Sequence, residues 1–143
     1  MSVAAYKRTI RESESPRQIE ARVFARITGD LTRHASDYTA APTNEARARV
    51  LAGGLRAALM ENQKLWIALR DDLASDGNGL PPQLRAQLLS IALWVERQTL
   101  QVVGGKPGLQ PLIEVNQSIL AGLSRAQSPM GDRSGSESHA QAV

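Results

Sequence analysis

Apolar residues in this chain recur at steps of three and four over four long segments, and proline or glycine stands at nearly every break between them. With 3.6 residues per helical turn, that spacing gathers one apolar stripe per helix, whereas a strand would need alternation. The first segment opens at Ser13-Glu14-Ser15-Pro16-Arg17-Gln18. Ser15 suits a helix cap, Pro16 suits the first helical position because its missing N–H would be unpaired there, and Gln18 completes a capping box. Ile19, Val23, Ile27, Leu31 and His34 follow on one stripe, flanked by Phe24 and Tyr38, until Ala40-Ala41-Pro42 ends the pattern.

A second helix is expected from Thr43, a capping residue with Glu45 favourably placed in the first turn. Its stripe runs through Leu51, Leu55, Ala58, Leu59, Asn62, Trp66, Leu69 and Leu73 to the break at Ser75-Asp76-Gly77-Asn78-Gly79. Gly53 and Gly54 lie inside this helix, each costing about 1 kcal/mol relative to alanine. They read either as a kink or as a small-residue groove that another backbone approaches. The third helix spans Pro81-Pro82 to Val103, and the fourth follows Pro107 or Pro111 and carries Leu109, Leu112, Ile113, Asn116, Ile119, Leu120 and Leu123.

Four such segments joined by loops of about 4 to 8 residues predict an all-α, antiparallel helical bundle of about four main helices. A short N-terminal helical segment with Val3, Tyr6 and Ile10 precedes it. Residues 1–123 are expected to make one domain. After Ser124 the composition turns to Ser, Gln, Gly, Ala and His without apolar periodicity, so 124–143 read as a disordered tail.

The chemistry-bearing residues are sparse. Cysteine is absent, which excludes disulfides and thiolate ligands and agrees with a reducing compartment. The start becomes charged at Lys7-Arg8 before a signal-peptide core can form, and no apolar run reaches the length of a membrane helix. A cytoplasmic location without membrane insertion is expected. The only histidines, His34 and His139, cannot make a two-histidine metal site, and His34 reads as a boundary residue. Gly104-Gly105-Lys106-Pro107-Gly108 lacks the spacing of a phosphate loop and reads as a helix break. Asp71-Asp72 have no nucleophile or anion hole converging on them in sequence. These absences predict a protein that is not an enzyme and takes no cofactor, metal or small-molecule substrate.

The net charge of +3 comes from 17 Lys and Arg, 14 of them Arg, interspersed with 14 Asp and Glu. Arg22, Arg26 and Arg33 share a helix face, but Asp30 and Asp37 stand four residues after Arg26 and Arg33, a spacing that favours surface ion pairs. With five aromatic residues in the chain and Trp66 in a core stripe, a base-stacking platform is poorly supplied, and nucleic acid is disfavoured as a partner.

Two features point towards protein binding. The third helix carries a main stripe of Leu84, Leu88, Ile91, Val95 and Val102 and a second line of Leu89, Leu93 and Leu100 on roughly the opposite side. A helix apolar on two faces is either sandwiched or bound by a partner. Trp94 lies at the edge of the main face, as a partner anchor or a core edge, so Leu89, Leu93, Trp94 and Leu100 form the candidate partner-binding set. Asn62 and Asn116 sit among leucines and isoleucines, where an unpaired amide costs about 1 to 3 kcal/mol. They read as a structural polar core that sets helix register, with contact to a partner as the other reading.

Four stretches in order carry a family resemblance: Ser13 to Glu20; Asn62-Gln63-Lys64-Leu65-Trp66 with Leu69 and Leu73; Leu80-Pro81 through Leu84 to Ile91 and on to Trp94-Val95; and Pro111 to Asn116 through Gly122-Leu123. Over about Tyr6 to Leu123 the chain resembles the FlaF family of flagellar biosynthesis regulators. The resemblance implies promotion of flagellin synthesis or secretion, without enzymatic activity, through flagellin bound in the manner of a cytoplasmic secretion chaperone. It also implies action with or against an FlbT-type regulator, and as the alternative, post-transcriptional control of flagellin mRNA by RNA binding or through that regulator. It brings no binding-residue list and no role for residues 124–143.

Overall fold

The computed structural model describes the backbone of residues 16–127 and the side chains of residues 21–122. The helices are α1 (Pro16–Ala40), α2 (Asn44–Val50), α3 (Arg56–Ala74), α4 (Pro82–Val103) and α5 (Leu109–Gln127), with a π turn at Leu51–Leu55 between α2 and α3. Among the described residues there is no strand, and the fold is all-α. The N-terminal segment and Ser15 lie outside the described residues, as does the side chain of Gln18, so the expected cap falls outside them; α1 is described from Pro16.

The described residues group into two compact units: those up to Ala25 with those from Gln117 to Gln127, and Arg26–Asn116. In the first, the start of α1 buries Phe24, with Val23 half-buried, and α5 presents half-buried Ile119 and Leu120. The second holds most of the core. Leu31, Leu55, Leu59, Val95, Val102 and Leu112 have no exposed surface, and Trp66, Leu73 and Ile113 have almost none. Each lies on an apolar stripe of its helix, so burial follows the periodicity of the sequence.

The segment expected as one helix from Thr43 to Leu73 is broken. Thr43 caps α2 by accepting the Ala46 N–H at 3.1 Å. The helix then passes through the π turn, where the Arg56 N–H donates to the Leu51 carbonyl and Gly54 takes φ 131°, outside helical space. Glycine alone adopts that backbone without strain. A Cβ at Gly54 would also lie 3.1 Å from His34 Cε1 and Nε2, whereas one at Gly53 would meet nothing. The glycine pair is therefore a kink, closed against a side chain of α1.

At the C-terminal end, α5 starts at Leu109, so Pro111 falls in its first turn, where it removes no helical hydrogen bond. It continues to Gln127, past the expected end at Leu123. Arg125, Ala126 and Gln127 are good helix formers, and extending an existing helix needs no new nucleus. Residues 128–143 lie outside the described residues.

Candidate functional site

The α4 helix begins at Pro82, preceded by Pro81, and ends at Gly104, whose N–H bonds the Leu100 carbonyl. Its inner face buries Ala92, Val95, Thr99 and Val102. Thr99 satisfies its buried hydroxyl by donating to the Val95 carbonyl at 2.6 Å, so it adds no polar demand to the core. The opposite side of α4 is open: Leu93 is 49% and Leu100 68% exposed. Seven residues apart on a helix, they are separated by about 20° around its axis and about 10.5 Å along it. Leu89, half-buried, lies about 40° to one side, and exposed Arg97 about 40° to the other. Trp94, half-buried, points about 100° away from Leu93, on the flank next to Arg97. The four residues singled out from the sequence thus divide into a line of three leucines and a tryptophan on a different flank. Leu84, 40% exposed, is at the N-terminal end of the inner face and belongs to neither.

The two asparagines meet in the core of the Arg26–Asn116 unit. Both are fully buried. The Asn116 amide donates to Asn62 Oδ1 at 2.8 Å and to Thr28 Oγ1 at 3.1 Å, and its carbonyl accepts from Trp66 Nε1 at 2.9 Å. One side chain of α5 is thereby tied to α1 and to two positions of α3. Asn62 Nδ2 has no hydrogen-bond partner, and neither does the buried Oε1 of the next residue, Gln63. Thr28 went unnoticed in the sequence because it stands one residue after Ile27, on the edge of the stripe, and edge threonines carry no distinctive signal.

A second polar cluster holds the loop after α4. Tyr38, 2% exposed, sets its hydroxyl 2.8 Å from the Val102 carbonyl and 2.7 Å from that of Lys106, and its single proton serves one at a time. The Arg47 guanidinium donates to the carbonyls of Gly105 and Ala41 and to Asn44 Oδ1. Burial pushes the Tyr38 phenol above the usual tyrosine range, and the nearby Arg47 charge partly opposes this. Gln98 donates to the Gly108 carbonyl at 3.1 Å, and a Cβ on Gly108, where φ is 123°, would overlap the Gln98 amide.

On the arginine face of α1, Arg26 bonds Glu61 at 2.9 Å and Asp30 at 3.3 Å, and Arg33 also bonds Asp30. The Glu61 bond and charge raise the Arg26 pKa further above its already high ordinary value. The ion pair expected between Arg26 and Asp30 is present, but Arg33 turns back to Asp30 rather than forward to Asp37. Between α3 and α4, Arg70 reaches Glu96 at 3.4 Å. Among the described residues no group of three His, Asp or Glu side chains is placed to hold a metal ion, and no helix is long and apolar enough to cross a membrane.

The family model described as "Flagellar protein FlaF" matches residues 2–123 of the chain. No curated protein and no solved structure matches it.

Proposed function

This chain belongs to the FlaF family of flagellar proteins, and from that membership we propose that it is a non-enzymatic factor that promotes flagellin synthesis and secretion by binding flagellin as a cytoplasmic chaperone. The observation that carries the reading is the exposed leucine line of α4, Leu93 and Leu100 with Leu89 beside them. Apolar side chains two turns apart match the i, i+7 repeat of an amphipathic helix lying alongside. A flagellin helix docked there would have its own apolar stripe covered and be kept from self-association until export. Arg97, between Leu93 and Leu100 on the outer face, sets the rim of that surface.

Isothermal titration of the purified protein with monomeric flagellin tests this. Binding is expected, and Leu93→Asp or Leu100→Asp should weaken it about 10- to 100-fold, the range in which truncated interface anchors fall. Both variants should keep the thermal midpoint, since exposed positions tolerate substitution. Unchanged affinity in both would remove this surface from consideration, and failure of the parent protein to bind flagellin at all would remove the chaperone role. An FlbT-type regulator is the second partner to try in the same titration.

The RNA-binding alternative has weaker support. Arg26 and Arg33 already face Glu61 and Asp30, which cancels much of the field that would attract a phosphate backbone.

A further inference from the structure

Most helices here are held by buried apolar side chains, and α2 is not. None of its residues is buried; Ala46, Arg47 and Val50 are half-covered and the rest face solvent. The segment enters from α1 through Ala41, Pro42 and Thr43 and leaves into the π turn, where Leu51 and Leu55 are anchored in the core. Between those anchors Gly54 takes φ 131°, so the helical ladder is already interrupted on the α3 side of α2. With Leu51 held in the core, an opening of α2 would stop at the π turn and would not require α3 to unwind.

What fastens α2 to the rest of its unit is Arg47. Its guanidinium reaches across to the Gly105 carbonyl in the α4–α5 loop, while the Ala41 carbonyl and Asn44 Oδ1 hold it in place from its own side. All three acceptors are uncharged, and no ion pair links Arg47 to a carboxylate among the described residues. The fastening therefore depends on the fork geometry of the guanidinium rather than on charge neutralisation. Gly105 is buried, and the carbonyls on either side of it in sequence, those of Val102 and Lys106, are held by the Tyr38 hydroxyl.

We propose that α2 is a strap that opens as a unit as far as the Leu51 anchor, latched by Arg47 on the Gly105 carbonyl and separated from α3 by the interrupted ladder at Gly54, releasing the α4–α5 loop that also holds Tyr38 while α3, α4 and α5 stay folded. Elements with little buried apolar area open locally at far lower free energy than the core, and this one has a built-in break at one end and a single cross-link at the other.

Amide hydrogen exchange on the full chain tests the strap. The amides of Arg47–Leu51 are expected to exchange at least about a hundredfold faster than those of Leu112–Asn116, through an opening that low denaturant leaves unchanged. Arg47→Ala should speed exchange at Arg47–Leu51 and at Gly105–Lys106 by about tenfold, with the α3 and α5 amides unaffected; Arg47→Lys, which keeps the charge but loses the fork, should restore only part of the protection. Exchange of Arg47–Leu51 at the same rate as α5, occurring only through global unfolding, overturns the proposal. So does an Arg47→Ala variant that accelerates every helix equally. If Arg47→Ala does not fold, Thr43→Val, which removes the cap at the entry to α2, must give the same regional pattern for the strap to stand.

Discussion

The two polar clusters of the Arg26–Asn116 unit do opposite jobs with similar chemistry. Around Asn116, side chains bond side chains inside an apolar core: Thr28, Asn62 and Trp66 converge from two helices on one amide. Around Arg47 and Tyr38, side chains bond backbone carbonyls at helix ends, where α4 has run out of intrahelical partners. Losing Asn116, the hub of the first, strands several buried groups at once. Losing a member of the second frees a loop that water can reach. The cooperative stability of this unit therefore resides in the amide core, while the α2 and α4–α5 region is secured locally.

The largest effect is expected from Asn116→Ala. It removes the bonds that Asn116 makes with the Trp66 N–H and Asn62 Oδ1 in a fully buried site and opens a cavity, so a global destabilisation of about 3 kcal/mol or more is expected in chemical denaturation. An effect no larger than that of a surface substitution would mean that the core does not depend on the network.

Next in size, Gly54→Ala is expected to cost about 1–3 kcal/mol, because its φ of 131° strains any side chain and the new Cβ would press on His34. Gly53→Ala, with space around it, should be neutral or stabilise by about 0.5–1 kcal/mol. The paired thermal midpoints decide whether the kink is built by Gly54 alone.

Tyr38→Phe should cost about 1 kcal/mol and change the alkaline behaviour. The folded phenol ionises above its ordinary value because it is buried. The unfolded chain then gives up its proton first, near pH of about 10, so stability present below that point falls as pH rises towards the folded value. In Tyr38→Phe this part of the alkaline loss should vanish from a pH series of denaturation curves, with no change near neutrality.

The smallest effect is expected inside the core cluster itself. Asn62→Leu removes the unpartnered Nδ2 group and strands one N–H of the Asn116 amide, which keeps its bonds to Thr28 and Trp66; one unsatisfied buried group replaces another, so stability should change by less than about 1 kcal/mol. A loss as large as for Asn116→Ala would place the two amides on an equal footing.

Much of the fold was legible in the residues, and the reasons differ by element. The stripes of α1, α3 and α5 predicted which side chains are buried, and Asn62 and Asn116 stood out because an amide among leucines must find a partner. The second line of α4 was legible as a pattern, but its exposure was not, since periodicity cannot distinguish a sandwiched helix from an uncovered one. Trp94 was grouped with that line, although it lies on another flank. The break between α2 and α3 was only half legible: two glycines weaken a helix, but His34 packed against Gly54 is a contact with α1. Arg47 and Tyr38 carried no signal as a pair, because their partners are carbonyl groups that every residue possesses.

By itself, then, the sequence determined that the chain is helical, where most helices start and stop, and which face of each is apolar, because these follow from spacing and capping within a few residues. The tertiary structure alone decided which polar groups are satisfied and which leucines stay uncovered. The Asn116 bond to Thr28 joins residues 88 apart, and that of Arg47 to Gly105 joins residues 58 apart. Partners at such separations are chosen by how the helices pack, and local spacing does not encode that choice.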